Sequence, residues 1–276
     1  MASASVRPAA VAGLFYPADP RVLHAQIGDL IGAAMAADRS SRPPKAIVVP
    51  HAGYLYSGPV AASGYAAIAP LRGHVSRVVL LGPAHRMAVR GFAIPAAQAF
   101  ATPFGEVPVS RDDWLALQRR ADVVVDDRPH ALEHSLEVQL PFLQMVLDGF
   151  RLVPILVGDA SAEAVASLLG ELWGGEETLI VISSDLSHYH PYLHARQCDQ
   201  ATVRQILALD DHILDDQACG ARPINGLMRV AAQRGLTPHL LDLRNSGDTA
   251  GDRSRVVGYA SLSFDEAGAH DDNVRH

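Results

Sequence analysis

Ala46-Ile47-Val48-Val49-Pro50-His51-Ala52-Gly53 is a short apolar run, rich in β-branched residues, that stops at a proline and delivers a histidine into the loop that follows. Two later stretches repeat the arrangement. Val78-Val79-Leu80-Leu81 passes into Gly82-Pro83-Ala84-His85, and Leu179-Ile180-Val181-Ile182 into Ser183-Ser184-Asp185-Leu186-Ser187-His188. Runs without polar alternation suit strands covered on both faces. Leu152–Val157 and Val256–Ser261 read the same way, and helical periodicity fills intervals at Gly58–Ile68, Leu136–Leu147, Ala162–Trp173, His194–Leu209 and Ile224–Arg234. Alternating strands and helices predict an α/β fold, with a central, mostly parallel sheet flanked by helices. Phe92–Val109 departs from this pattern, because Pro95, Pro103, Gly105 and Pro108 break it into hairpin-like pieces expected at an insertion or edge.

No repeat or linker-like composition divides the chain, so one domain is expected over residues 1–266. Residues 40–44 read as a polar connection, and residues 267–276 as a disordered tail. The 276 residues are 49% apolar and 19% charged, which is the composition of a chain that buries a core. The net charge is −7 and basic residues form no run, which argues against nucleic acid as a partner. The apolar runs are far shorter than the roughly 20 residues that span a bilayer. Around Arg7 and Asp19 the Ala/Val segment is broken by Pro8, Gly13 and Pro17, unlike a signal peptide. A soluble, cytoplasmic protein is expected.

Loops that follow strands gather at one edge of an open α/β sheet. His51, His85 and His188 therefore converge on that edge. A single loop histidine is usually just hydrogen-bonded, but three at equivalent places are better explained by a metal, with His51 and His85 as two of its ligands. Gly53 and Gly58, around Tyr54, Tyr56 and Ser57, let backbone approach a ligand, with a helix starting near Ser57 and presenting its N-terminal amides. Glu133 and Glu137 read as a solvated acidic first turn of the next helix. His134 between them is either structural or a polar group of the pocket. Two cysteines are too few for a disulfide framework, and Cys198, in a helical stretch, reads as packing.

Five stretches, in order, resemble the Memo family, also described in prokaryotes as AmmeMemoRadiSam system protein B. They are Pro50-His51-Ala52-Gly53-Tyr54-Leu55-Tyr56-Ser57-Gly58, Leu81-Gly82-Pro83-Ala84-His85, Glu133-His134-Ser135-Leu136-Glu137, Ser183-Ser184-Asp185-Leu186-Ser187-His188, and Cys219-Gly220 with Pro223-Ile224. The opening Arg7 to Pro17 is similar to the family's N-terminal signature, and the resemblance runs from residue 7 to about residue 264. It implies a fold like that of the class III extradiol dioxygenases, in which non-haem Fe(II) opens catechol rings. It also implies His51, His85 and Cys219 as metal ligands and Asp185 and His188 as an acid/base pair; beside them, His134, Tyr54 and Ser57 are expected to bind substrate.

Where those dioxygenases use a carboxylate, this chain offers a thiolate, a softer donor. Fe(II) is the expected metal, with copper or zinc as alternatives, and catechol cleavage does not follow automatically. The resemblance implies a metal-dependent redox enzyme acting on a small molecule. A non-catalytic module holding a metal or a peptide in the same pocket competes with it, and a zinc hydrolase ranks third, because no short-spaced zinc-protease motif is present. The family name further implies a working link with a radical-SAM enzyme and an AMMECR-type protein. This chain has no iron–sulfur cysteine cluster of its own.

Overall fold

A computed structural model describes residues 5–37 and 43–266. The expected tail at residues 267–276 lies outside them, as does most of the connection at 40–44. Among the described residues the strands are β1 (Val6–Arg7), β2 (Ala46–Val49), β3 (Arg77–Pro83), β4 (Phe92–Ile94), β5 (Ala99–Thr102), β6 (Gly105–Pro108), β7 (Val123–Val125), β8 (Arg151–Val157), β9 (Thr178–Ser183), β10 (His188–His190), β11 (Thr237–Asn245) and β12 (Val256–Asp265). The large sheet runs β10-β12-β2-β9-β3-β8-β4-β7, with β11 also paired to β12.

Its centre, β2-β9-β3-β8, is parallel, as the apolar runs require. Its margins are mixed: β12 joins β2 and β4 joins β8 antiparallel. The proline-broken stretch supplies β4 at one margin and a β5–β6 hairpin in a separate sheet with β1.

Successive side chains of the central strands point to opposite faces, and both faces are buried. Ala46, Val48, Val79, Leu81, Ile180 and Ile182 enter one core, with the helices Ala162–Leu172 and Ala221–Arg234. Ile47, Val49, Val78, Leu80, Leu179 and Val181 enter the other, beneath the helices Pro20–Ala37, Tyr54–Ile68 and Leu140–Val146. The absence of polar alternation thus reflects a sheet sandwiched between helical layers. At Gly64 the helix Tyr54–Ile68 comes so close to β2 that a Cβ would lie 2.5 Å from Val49 Cγ1. No helix among the described residues is long and apolar enough to cross a membrane.

Several elements differ from expectation. The helix after Gly53 starts at Tyr54 and not near Ser57, because the amides of Tyr56 and Ser57 both find the Gly53 carbonyl. The helix expected over Leu136–Leu147 is split into a 3-10 turn, Glu137–Gln139, and an α-helix, Leu140–Val146. The helix Pro20–Ala37 and the strand β11 were not foreseen at all.

The largest correction concerns the glutamates. Glu133 and Glu137 are not a solvated first turn; both are buried, Glu137 completely. One Glu137 oxygen accepts from the Arg7 guanidinium and the Ala10 amide, the other from the Val11 amide and the Tyr16 hydroxyl. The N-terminal segment is thereby bound to the middle of the chain. Arg7 also donates to the carbonyls of His130 and Glu133.

His130 is buried against Ala93, whose carbonyl accepts from its Nε2. Burial holds its imidazole down at about 4. An unfolded chain therefore binds a proton there, below about 6.5, that the folded chain refuses until about pH 4, so His130 costs stability as pH falls through that window. Relative to a His130→Gln variant, the unmodified chain should lose about 3 kcal/mol between pH 6.5 and 4, read by urea unfolding at each pH. A pH-independent difference between the two would contradict this.

Candidate metal centre

The parallel strands β2, β9 and β3 end side by side, in that order, with their carboxyl ends at one edge. His51 lies just beyond β2 and His85 just beyond β3, on either side of Ser183, the last residue of β9. Cys219 comes from the loop before the helix Ala221–Arg234 and is docked onto the β9 loop. Its amide donates to the Asp185 carbonyl (3.2 Å), and the Asp185 amide donates to its Sγ (3.3 Å). The Gly220 amide bonds Ser184 Oγ at 2.9 Å, where a Cβ would come within 2.6 Å of the Ser184 Cβ. Only glycine lets the loop approach that closely.

One donor atom each from His51, His85 and Cys219 lie within 4.8 Å of one another, and Cys219 Sγ is 3.2 Å from His51 Nε2. Ligands about 2.0–2.3 Å from a tetrahedral ion are separated by roughly 3.4 Å, so the His51–Cys219 separation is that of one edge of a coordination shell, with His85 within reach of both.

Hydrogen bonding fixes which nitrogen of each ring is available. Gln139 Nε2 donates to the Pro50 carbonyl and to Ser183 Oγ, and the Ser183 hydroxyl donates to the Ser135 carbonyl. Ser183 Oγ can then only accept from His51 Nδ1, 2.8 Å away. His51 thus carries its hydrogen on Nδ1 and turns an Nε2 lone pair toward Cys219. Glu133 does the same for His85: Oε1 faces Nδ1 at 2.9 Å, and the other oxygen accepts the His85 amide. Such outer partners orient metal-binding histidines and raise their basicity. Glu133→Gln should therefore weaken metal affinity by about 10–100-fold, measured by competition with a chelator; unchanged affinity would show that Glu133 does not tune the ligand.

Burial, reinforced by the neighbouring His85 and His134, holds His51 well below the usual imidazole range, so it stays neutral. Burial and the nearby Asp185 push the Cys219 thiol up. Burial raises Asp185 to about 7, although the amides of His51 and Ala52 favour its ionised form. Burial likewise lowers His188.

A cavity of about 660 Å³ opens over the two histidines, with Cys219 beneath His51 and outside the lining. His51, His85, His134, Asp185 and His188 all line it. His134 stacks on His85 (4.9 Å between ring centroids, 17° between planes), and burial lowers its pKa to about 4. Its buried Nδ1 has no hydrogen-bond partner. Asp185 and His188 share the cavity but are not joined, since the Asp185 carboxylate is engaged by backbone amides.

Tyr54 and Ser57, expected at the substrate, point elsewhere. The Tyr54 hydroxyl donates to the Val138 carbonyl within the core, and Ser57 Oγ donates to the Ala52 carbonyl. Tyr56 stands on the wall instead, with Phe15, Tyr189 and Tyr259 and the basic residues Arg86 and Arg255. Phe15 falls within the N-terminal stretch already singled out; Arg255 and Tyr259 carried no sequence signal of their own.

A family model described as Memo-like protein matches residues 7–263. The chain belongs to the Memo family. Over 94% of its length it is 37% identical to a MEMO1 family protein of Sulfolobus acidocaldarius, 99% of which is covered. MEMO1 family proteins of Methanopyrus kandleri and Aquifex aeolicus are each 36% identical over the same share of the chain, with 98% and 99% of their own lengths covered. The match to Memo proteins therefore takes in every element that builds the cavity.

Proposed function

We propose that this Memo protein binds one metal ion, Fe(II) in preference to copper or zinc, through His51, His85 and Cys219, and uses it in redox conversion of a small molecule held in the cavity. The observation that carries this is the pair of imidazoles with hydrogens committed to Nδ1, both presented with a thiol at coordination spacing beneath a cavity of substrate size. The donor set fits a first-row metal: two imidazole nitrogens and a soft sulfur that loses its proton on binding. Such an ion, when bound, supplies Lewis acidity and electron transfer.

The protein's own groups do the rest. Phe15, Tyr56, Tyr189 and Tyr259 offer aromatic faces, and Arg86 and Arg255 offer positive charge, a lining that suits a small planar or anionic molecule. His188, neutral at physiological pH, accepts a proton from the bound molecule. Asp185, near 7, holds or yields one elsewhere in the same cavity. By likeness to the class III extradiol dioxygenases the conversion is an oxygen-dependent one, with Cys219 in place of their carboxylate setting a different reactivity. A functional link to radical-SAM and AMMECR-type proteins is part of the same proposal.

Oxygen uptake on adding a panel of catechols and other small molecules to iron-loaded protein tests it. A substrate-dependent rate that falls on His188→Ala supports the enzyme. Because Asp185 is tied to backbone amides and not to His188, the arrangement also satisfies a protein that holds a metal without turning over. Full iron loading with no uptake across the panel would favour that second reading.

A further inference from the structure

We infer that the chain carries a second metal site, separate from the cavity, formed by His190, His194 and Cys198 and suited to a thiophilic ion such as Zn²⁺. His190 is the last residue of β10, while His194 and Cys198 lie one turn apart on the same face of the helix Tyr192–Leu207. One donor atom from each lies within 4.8 Å of the others. Cys198 Sγ is 3.5 Å from His194 Nε2, close to the edge of a tetrahedron around zinc. The rings of His190 and His194 are 4.7 Å apart and nearly perpendicular, so they meet edge to face and do not stack.

The set is soft. One sulfur and two imidazoles select zinc or Cu(I) over magnesium or calcium, which take oxygen ligands. His194 is exposed and the other two are partly buried, so a fourth position faces solvent and the ion can enter without rearrangement of the core. Cys198 is therefore not simply packing. An ion here would cross-link β10 to the helix that follows it. β10 is a short edge strand with an irregular register against β12, and it also carries His188 and Tyr189 into the cavity wall; Tyr189 has a left-handed φ of 63°.

The chain has only two cysteines, so in a Cys219→Ser background Cys198 is the sole thiol and reports this site alone. The experiment is the rate of iodoacetamide modification of that thiol with and without Zn²⁺. Protection should follow site occupancy, slowing the reaction about tenfold at free zinc ten times the Kd, and His194→Ala or His190→Ala should abolish it. Both substitutions are at positions with solvent access, and unchanged circular dichroism would verify the fold. Absence of protection would overturn the site, and so would protection that survives both histidine substitutions. Because the cavity ligand Cys219 is already removed, neither outcome depends on the iron site.

Discussion

Anaerobically purified protein carrying His51→Ala is expected to retain less than about a tenth of the iron held by the unmodified chain, which should approach one ion per chain. The expectation is large because His51 brings more than one donor. Its Nε2 stands 3.2 Å from Cys219 Sγ, and its Nδ1–H fills the acceptor position that Gln139 and Ser135 leave open on Ser183 Oγ. Removing the ring leaves Ser183 Oγ with an unfilled acceptor position and the thiol without its neighbour. Cys219→Ser should behave similarly, since a neutral hydroxyl is a poor substitute for a thiolate. Elemental analysis after reducing purification decides the matter, and iron retained in full by His51→Ala would remove the basis of the proposed site.

Glu137→Ala is expected to have the largest effect on stability, about 3–5 kcal/mol in urea unfolding. Truncation leaves Arg7 buried without its counter-charge and strips partners from two amides and the Tyr16 hydroxyl. Glu137→Gln keeps the acceptor oxygen and should cost less. A loss below about 1 kcal/mol for Glu137→Ala would mean that water replaces the carboxylate easily, which complete burial makes hard to arrange.

Both predictions rest on residues whose legibility in the sequence was unequal. His51, His85 and His188 were readable because each follows an unbroken apolar run, and a run of that kind fixes both the strand and the end at which its loop emerges. Cys219 follows no such run and entered only through family resemblance. Glu137 was misjudged because an acidic residue in the first turn of a helix is ordinarily solvated; its partners lie 121 to 130 residues earlier, where local pattern says nothing. Tyr54 and Tyr56 were exchanged for a geometric reason. In a helix that already starts at Tyr54, residues two apart point about 200° apart, so with Tyr54 turned into the core Tyr56 faces the cavity. β11 escaped notice because most of it is exposed or half-buried, with no continuous apolar run, and its place is set by pairing with β12.

The carboxylate of Glu137 also dictates when the cavity can be completed during synthesis. Phe15, part of the cavity wall, is synthesised well before Glu137, and its segment is held by Glu137 and by the bond from the Tyr54 amide to the Phe15 carbonyl. The whole stretch from Phe15 to Glu137 must emerge before that anchor exists, and Cys219 follows later still. The opening segment therefore waits, unanchored by Glu137, and β2 and β3 wait longer, because β9, which lies between them in the sheet, is made after Glu137, so the cavity is completed late in the life of the nascent chain.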